Sequence, residues 1–176
     1  MMRITTLTTA YDLDEDRLRL AVADAAGQRR VLWLSRRLAE RLMPVLMQGL
    51  SAAPVDEGSA SPPAPEADAS VAEPQGEAAA RAQAAQAYAQ LEARLAARQA
   101  APVQVGPDVP QGLVHRIELK TADGGTRGLE FHGPGFVPCE LWLTPRELRQ
   151  WLGLLRAAFQ AAEWRQDLWP AWLQAR

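Results

Sequence analysis

Apolar and polar residues alternate in two blocks of the chain, one before residue 35 and one after residue 113. In the first, "RITTLTTAY" is rich in β-branched residues, which suit a pleated strand. "RLRLAVA" then places Leu18, Leu20 and Val22 on one side of an extended chain and Arg17 and Arg19 on the other. "RRVLWL" is a third strand, and "DLDED" and "DAAGQ" are the turns between. After Ser35, an N-cap residue, the period changes. Leu38, Leu42, Val45 and Leu46 fall on one side of a helix. Residues 1–50 are thus predicted to form a β-β-β-α unit.

The second block repeats that order over 113–165. "LVHRIELK" and "RGLEFHG" flank the hairpin turn "TADGGT", and "CELWL" follows the interruption "PGFVP". Thr144 caps a helix, with Pro145 in the first helical position and Glu147 three residues after the cap, a capping box. Leu148, Trp151, Leu152, Leu155 and Phe159 form its apolar side.

Between the blocks, residues 51–76 are Pro, Ala, Ser and acid with almost nothing to bury, and read as a disordered linker. Residues 77–100 are an Ala-rich helix. Its Ala84, Tyr88, Leu91 and Leu95 make a thin coiled-coil-like seam able to dock on a neighbour. Residues 101–112 read as a second linker. Residues 166–176 are an aromatic tail in which Trp169 and Trp172 follow Trp164, and Pro170 ends any helix before it. That tail is expected to fold back over the core.

Several matches point to internal duplication. "LWLS" at 32–35 recurs as "LWLT" at 141–144, with Arg37 and Arg146 following at the same offset. Pro44 and Gly153 stand nine residues after their caps, and "RLRL" and "RIEL" each precede an Ala-Asp turn. One such unit buries too little to be robust alone. The expected fold is therefore α+β, two β-β-β-α units pairing about a pseudo-twofold axis into one domain, with both helices packed on the sheet or barrel. The linker and the Ala-rich helix separate the units.

Alternation also assigns faces. Leu18, Leu20, Val22, Leu32 and Leu34 should meet the helix, leaving Arg17, Arg19, Arg29, Val31 and Trp33 outside. In the second unit Ile117, Leu119, Leu141 and Leu143 should be core, with Arg116, Glu118, Lys120 and Trp142 outside. A tryptophan among arginines can stack an unpaired base while guanidinium groups meet phosphate. The same residue types are enriched in protein interfaces. The paired strand–helix design resembles the single-strand-binding PUR and Whirly-type proteins, whose units have four strands before the helix where three are read here. Arg36 and Arg37 sit in the first turn of a helix, where the dipole disfavours cations, and there an anion or a partner's carboxylate has a place to bind.

Charge and chemistry narrow the choice. The 176 residues carry a net charge of −2, so a dedicated polyanion binder is disfavoured and a protein contact preferred. The single cysteine, Cys139, excludes an internal disulfide. No run is long and apolar enough to span a bilayer, and "MMRITTLTTAYD" has no secretory h-region, which points to the cytoplasm. His115 falls in the inward phase of its strand and is expected in the core. His132 and Cys139, seven apart, lack the further ligands that zinc needs. With no nucleotide loop, HExxH or nucleophile elbow, no enzyme, cofactor or metal is expected. The reading is a non-catalytic adaptor, assembly factor or scaffold component that binds another protein. A homodimer or single-stranded nucleic acid is the alternative partner, and no membrane is involved. The candidate contacts are Arg17, Arg19, Arg29, Trp33, Arg36, Arg37, Trp142, Trp169 and Trp172.

Overall fold

The computed structural model describes residues 1–51, 75–97 and 101–174. Three strands, β1 (Met2–Asp12), β2 (Arg17–Asp24) and β3 (Arg29–Ser35), run as an antiparallel meander into helix α1 (Arg36–Ser51). Helix α2 (Gln75–Leu95) follows. Next come β4 (Gln111–Leu113), β5 (Arg116–Thr121), β6 (Arg127–His132) and β7 (Cys139–Leu143), then α3 (Pro145–Ala161) and the short α4 (Ala171–Gln174). The sheet order is β4-β3-β2-β1-β7-β6-β5.

The two ends of that order are neighbours in sequence. β4 pairs in parallel with β3, β5 pairs antiparallel with β6, and only Val114 and His115 lie between them. The sheet therefore curls until its ends share one bent stretch of chain, 111–121. β1 does the same thing on the opposite side. Its start pairs in parallel with β7 through Met2–Ile4, a register shift follows between Ile4 and Thr6, and the rest pairs with β2. Irregularities of this kind turn a strand at a barrel corner.

Two halves thus repeat one plan, as the duplicated phrase suggested. Leu20 faces Leu32 across β2 and β3, and Leu129 faces Leu141 across β6 and β7. Residues 109 apart share their environment in the helices. Ala39, Leu42, Met43, Leu46 and Leu50 are buried, as are Leu148, Trp151, Leu152, Leu155 and Phe159, while Val45 and Leu154 are both exposed. The ladders also correct one alignment. "RIEL" lies in β5, which corresponds to β1, and Leu20 matches Leu129, so the counterpart of "RLRL" is "TRGL", which enters β6.

One apolar cluster joins the inward sheet residues to α1, α3 and the tail. The tail folds back as expected. Phe159 meets Trp164 and Trp169 edge-on at 5.2 Å each, and Tyr11 meets Trp164 at 5.7 Å. Edge-to-face pairs match the ring quadrupoles and add to plain area burial.

Val45, expected on the apolar side of α1, is exposed, and three further expectations need correction. His115 is exposed, because the chain bends at Val114–His115, and Leu119, on β5 at the end of the sheet order, is 40% exposed. Residues 101–112 do more than link. Gln111 and Gly112 belong to β4, and the stretch before them crosses the outer side of the first unit. There the Val103 amide donates to Thr8 Oγ1 at 2.8 Å and Arg29 donates to the Gln104 carbonyl at 3.0 Å. The Ala-rich helix starts at Gln75 and ends at Leu95 rather than spanning 77–100. The disordered linker read over 51–76 falls, at 52–74, outside the described residues.

Candidate interaction surfaces

The outward face of the first unit carries the predicted Arg/Trp pattern, partly in use by the protein itself. Arg19 and Trp33 are direct cross-strand neighbours, and both are half-buried. The Trp33 indole N–H donates to Gln111 Oε1 at 2.9 Å. Arg17 pairs with Glu15 at 2.9 Å, and Arg29 is held by the Gln104 carbonyl. Among the described residues no carboxylate pairs with Arg19.

At the start of α1 the two adjacent arginines differ. Arg36 pairs with Glu40 at 2.7 Å. Arg37 points instead into an open cleft of about 420 Å³ between α1 and the β4–β5 corner. Leu38, Leu113 and Val114 form its apolar part, and Arg37, Arg41 and His115 its polar rim. Among the described residues, Arg37 and Arg41 have no carboxylate partner. Arg41 and His115 were not among the candidates. The corner that brings His115 to α1 depends on strand pairing across eighty residues, which periodicity does not carry.

The corresponding face of the second unit is rich in carboxylates. Glu118, Glu130 and Glu140 lie directly opposite one another on β5, β6 and β7, with Arg3 next in the row. Like charges in cross-strand register are destabilising. Lys120 offsets two of them, reaching Glu130 Oε2 at 2.7 Å and Glu140 Oε1 at 3.1 Å, and Arg116 pairs with Glu118 at 2.9 Å. Glu130, then Glu140, pushes the Lys120 ammonium above its ordinary value. The Trp142 indole N–H, then Lys120, holds the Glu140 carboxyl below the usual carboxylate range. Trp142 also packs over Gly128, where a Cβ would lie 2.9 Å from the ring. Trp33 and Trp142 are counterparts in the two halves, each on the outward face two residues before its helix cap.

His132 Nε2 lies 3.3 Å from Glu130 Oε1 and 3.8 Å from Glu118 Oε1, a grouping with the residue types of a metal site. Glu118 Oε1 is already engaged by Arg116, and the other oxygen of Glu130, Oε2, by Lys120. Cys139 faces the other way, into the core, with its thiol near the Val137 carbonyl at 3.5 Å. Burial pushes that thiol up. His132 follows Phe131, the residue opposite Cys139, so histidine and cysteine stand on opposite faces of the sheet.

Of the two tail candidates, Trp169 is core. Trp172 is half-buried with Arg149 over its ring at 5.3 Å. Helix α2 lies on α3 through a polar edge. Gln90 donates to the Arg149 carbonyl at 3.2 Å, Gln150 donates to the Ala93 carbonyl at 2.9 Å, and Arg149 donates to Gln86. The seam residues Tyr88, Leu91 and Leu95 face outward, 64%, 48% and 78% exposed. No described helix is long and apolar enough to cross a membrane. No family model, curated protein or solved structure matches this chain.

Proposed function

We propose that this is a non-catalytic protein-binding module, an adaptor, assembly factor or scaffold component working in the cytoplasm. The observation that carries this reading is the orientation of α2. A helix held to its own domain by glutamines and alanine presents its large apolar side chains to solvent. Tyr88, Leu91 and Leu95 sit at i, i+3 and i+7, the spacing by which one amphipathic helix receives another. The fitting partner is an apolar-faced helix of another protein. The test compares wild type with Leu91→Asp, a change at an exposed position, in affinity purification from the native cell with light scattering on the purified chain. Partner recovery with wild type and its loss with Leu91→Asp, at unchanged melting temperature, supports the reading. Equal recovery removes it, and dimerisation through α2 would identify the partner as a second copy.

A second reading rests on Arg19 beside Trp33. A guanidinium without a carboxylate partner next to an indole face suits single-stranded nucleic acid. Its weight is reduced by Arg17 and Arg29, which are already engaged. Titration of labelled oligonucleotides at low and moderate salt decides it. Binding that weakens with salt and is lost in Arg19→Ala and Trp33→Ala supports it, and no binding at low salt ends it.

A further inference from the structure

We propose that the cleft between α1 and the β4–β5 corner binds an acidic peptide segment of a partner protein, with two carboxylates on Arg37 and Arg41 and an apolar side chain on Leu38 and Leu113. The proposal rests on the protein-binding reading, at a place separate from the α2 seam.

Charge is the first argument. Arg37 and Arg41 are one helical turn apart, so they share a face and repel each other. Arg37 also lies in the first turn of α1, where cations are disfavoured. Arg36 is relieved by Glu40, whereas Arg37 and Arg41 have no such relief among the described residues. His115 faces the same opening from the β4–β5 corner. An arrangement that costs the free protein stability is offset when carboxylates arrive, and guanidinium forks accept them in two-point geometry.

The internal repeat supplies the second argument, because the other half shows what occupies the matching place. Arg37, Leu38 and Arg41 correspond to Arg146, Glu147 and Gln150. There Glu147 closes the capping box on the helix amides. Gln150 donates to the Ala93 carbonyl of α2, so a peptide segment of this same chain runs along that flank. In the first half no segment donates or accepts a hydrogen bond at Arg41 among the described residues. Leu38 replaces the capping carboxylate, and Arg41 replaces the neutral amide that meets a carbonyl. The change from Gln to Arg is what a carboxylate in place of a carbonyl would call for.

The experiment uses the full chain and fluorescence anisotropy with two labelled peptides, one of repeated Leu-Glu-Glu and one of Leu-Gln-Gln. The acidic peptide should bind at least about tenfold more tightly than the amide peptide, with affinity falling as salt rises. Arg41→Gln, which installs the residue of the other half, and Arg37→Gln should each weaken binding by about tenfold. Leu91→Asp should leave it unchanged. All three positions are exposed, and a matching melting curve checks the fold. Equal binding of both peptides, no binding of either, or full binding by the Arg37→Gln/Arg41→Gln variant overturns the proposal. So does competition by inorganic phosphate or oligothymidine at concentrations below that of the acidic peptide, which would make the cleft a phosphate site. A partner lost with Leu91→Asp but retained with Arg37→Gln/Arg41→Gln would sink the cleft and leave the protein-binding reading standing.

Discussion

Val114 and His115 are consecutive, yet their amides donate to opposite edges of the sheet. Val114 bonds to the Trp33 carbonyl at 2.9 Å and His115 to the His132 carbonyl at 2.8 Å. This corner closes the curl. Val114→Pro removes one donor and leaves the Trp33 carbonyl without its partner, which costs about 1–3 kcal/mol for a buried group. Urea denaturation should show that loss. Hydrogen exchange should show faster opening at β3 and β4, with β1 and β7 less affected. A variant as stable as wild type would mean that the corner contributes nothing to closure.

That corner marks the limit of what the sequence discloses. The strand order within each half, both helices, the Thr144 capping box and the doubled tryptophan phrase depend on residues close together in the chain. They are legible from period and punctuation. His115 is not, because "LVHRIELK" reads as one unbroken strand, and period two then places it with Ile117. The chain instead changes partners at that point, and the phase is lost. The carboxylate row has the same origin. Glu118, Glu130 and Glu140 are unremarkable singly and become a row only through register. For α2, apolar seam residues were expected to dock. Gln86 and Gln90 dock instead, because they satisfy polar groups on and around α3 that alanine and leucine leave unpaired.

The two helix starts make a matched pair for capping. Thr144 Oγ1 accepts from the Glu147 amide at 3.3 Å, and Glu147 Oε2 accepts from the Thr144 amide at 2.8 Å. Ser35 accepts from the Leu38 amide at 3.4 Å, and no carboxylate returns the bond. Thr144→Ala should therefore cost about 1 kcal/mol or more, and Ser35→Ala measurably less. Chemical denaturation of the two variants side by side checks the order.

Glu140 gives a pH signature. Its carboxyl lies below the ordinary range in the folded protein because of Trp142 and Lys120. The stabilisation is fully present above the ordinary carboxyl value and is lost as pH falls through the depressed one. Glu140→Gln should thus be less stable than wild type at neutral pH, and the gap should close on acidification into that range. Denaturant midpoints measured stepwise from neutral to acid pH test this. A gap that stays constant would separate Glu140 from any role in acid sensitivity.

Gly153 lies inside α3, and a Cβ placed there meets nothing within 4 Å. Glycine is costly in a helix interior and here has no steric reason to be present. Gly153→Ala should stabilise the protein by about 0.5–1 kcal/mol. Thermal denaturation should show a rise in midpoint.

Arg149 is the buried tie between three helices. It is 7% exposed, donates to the main chain and side chain of Gln86, and lies over Trp172. Burial lowers its pKa from the usual guanidinium value, but its hydrogen bonds and aromatic neighbour suit the charged form. Arg149→Ala removes the donors that Gln86 of α2 accepts and the support under α4, and should cost about 1.5–3 kcal/mol, the range for hydrogen bonds to a charged group. The loss should be local. Hydrogen exchange should accelerate in α2 and α4 while the inward strands keep their protection. If the sheet loosens to the same extent as α2, then α2 is an integral part of the core rather than a helix laid against it. The outward display of Tyr88, Leu91 and Leu95 would then depend on the whole fold.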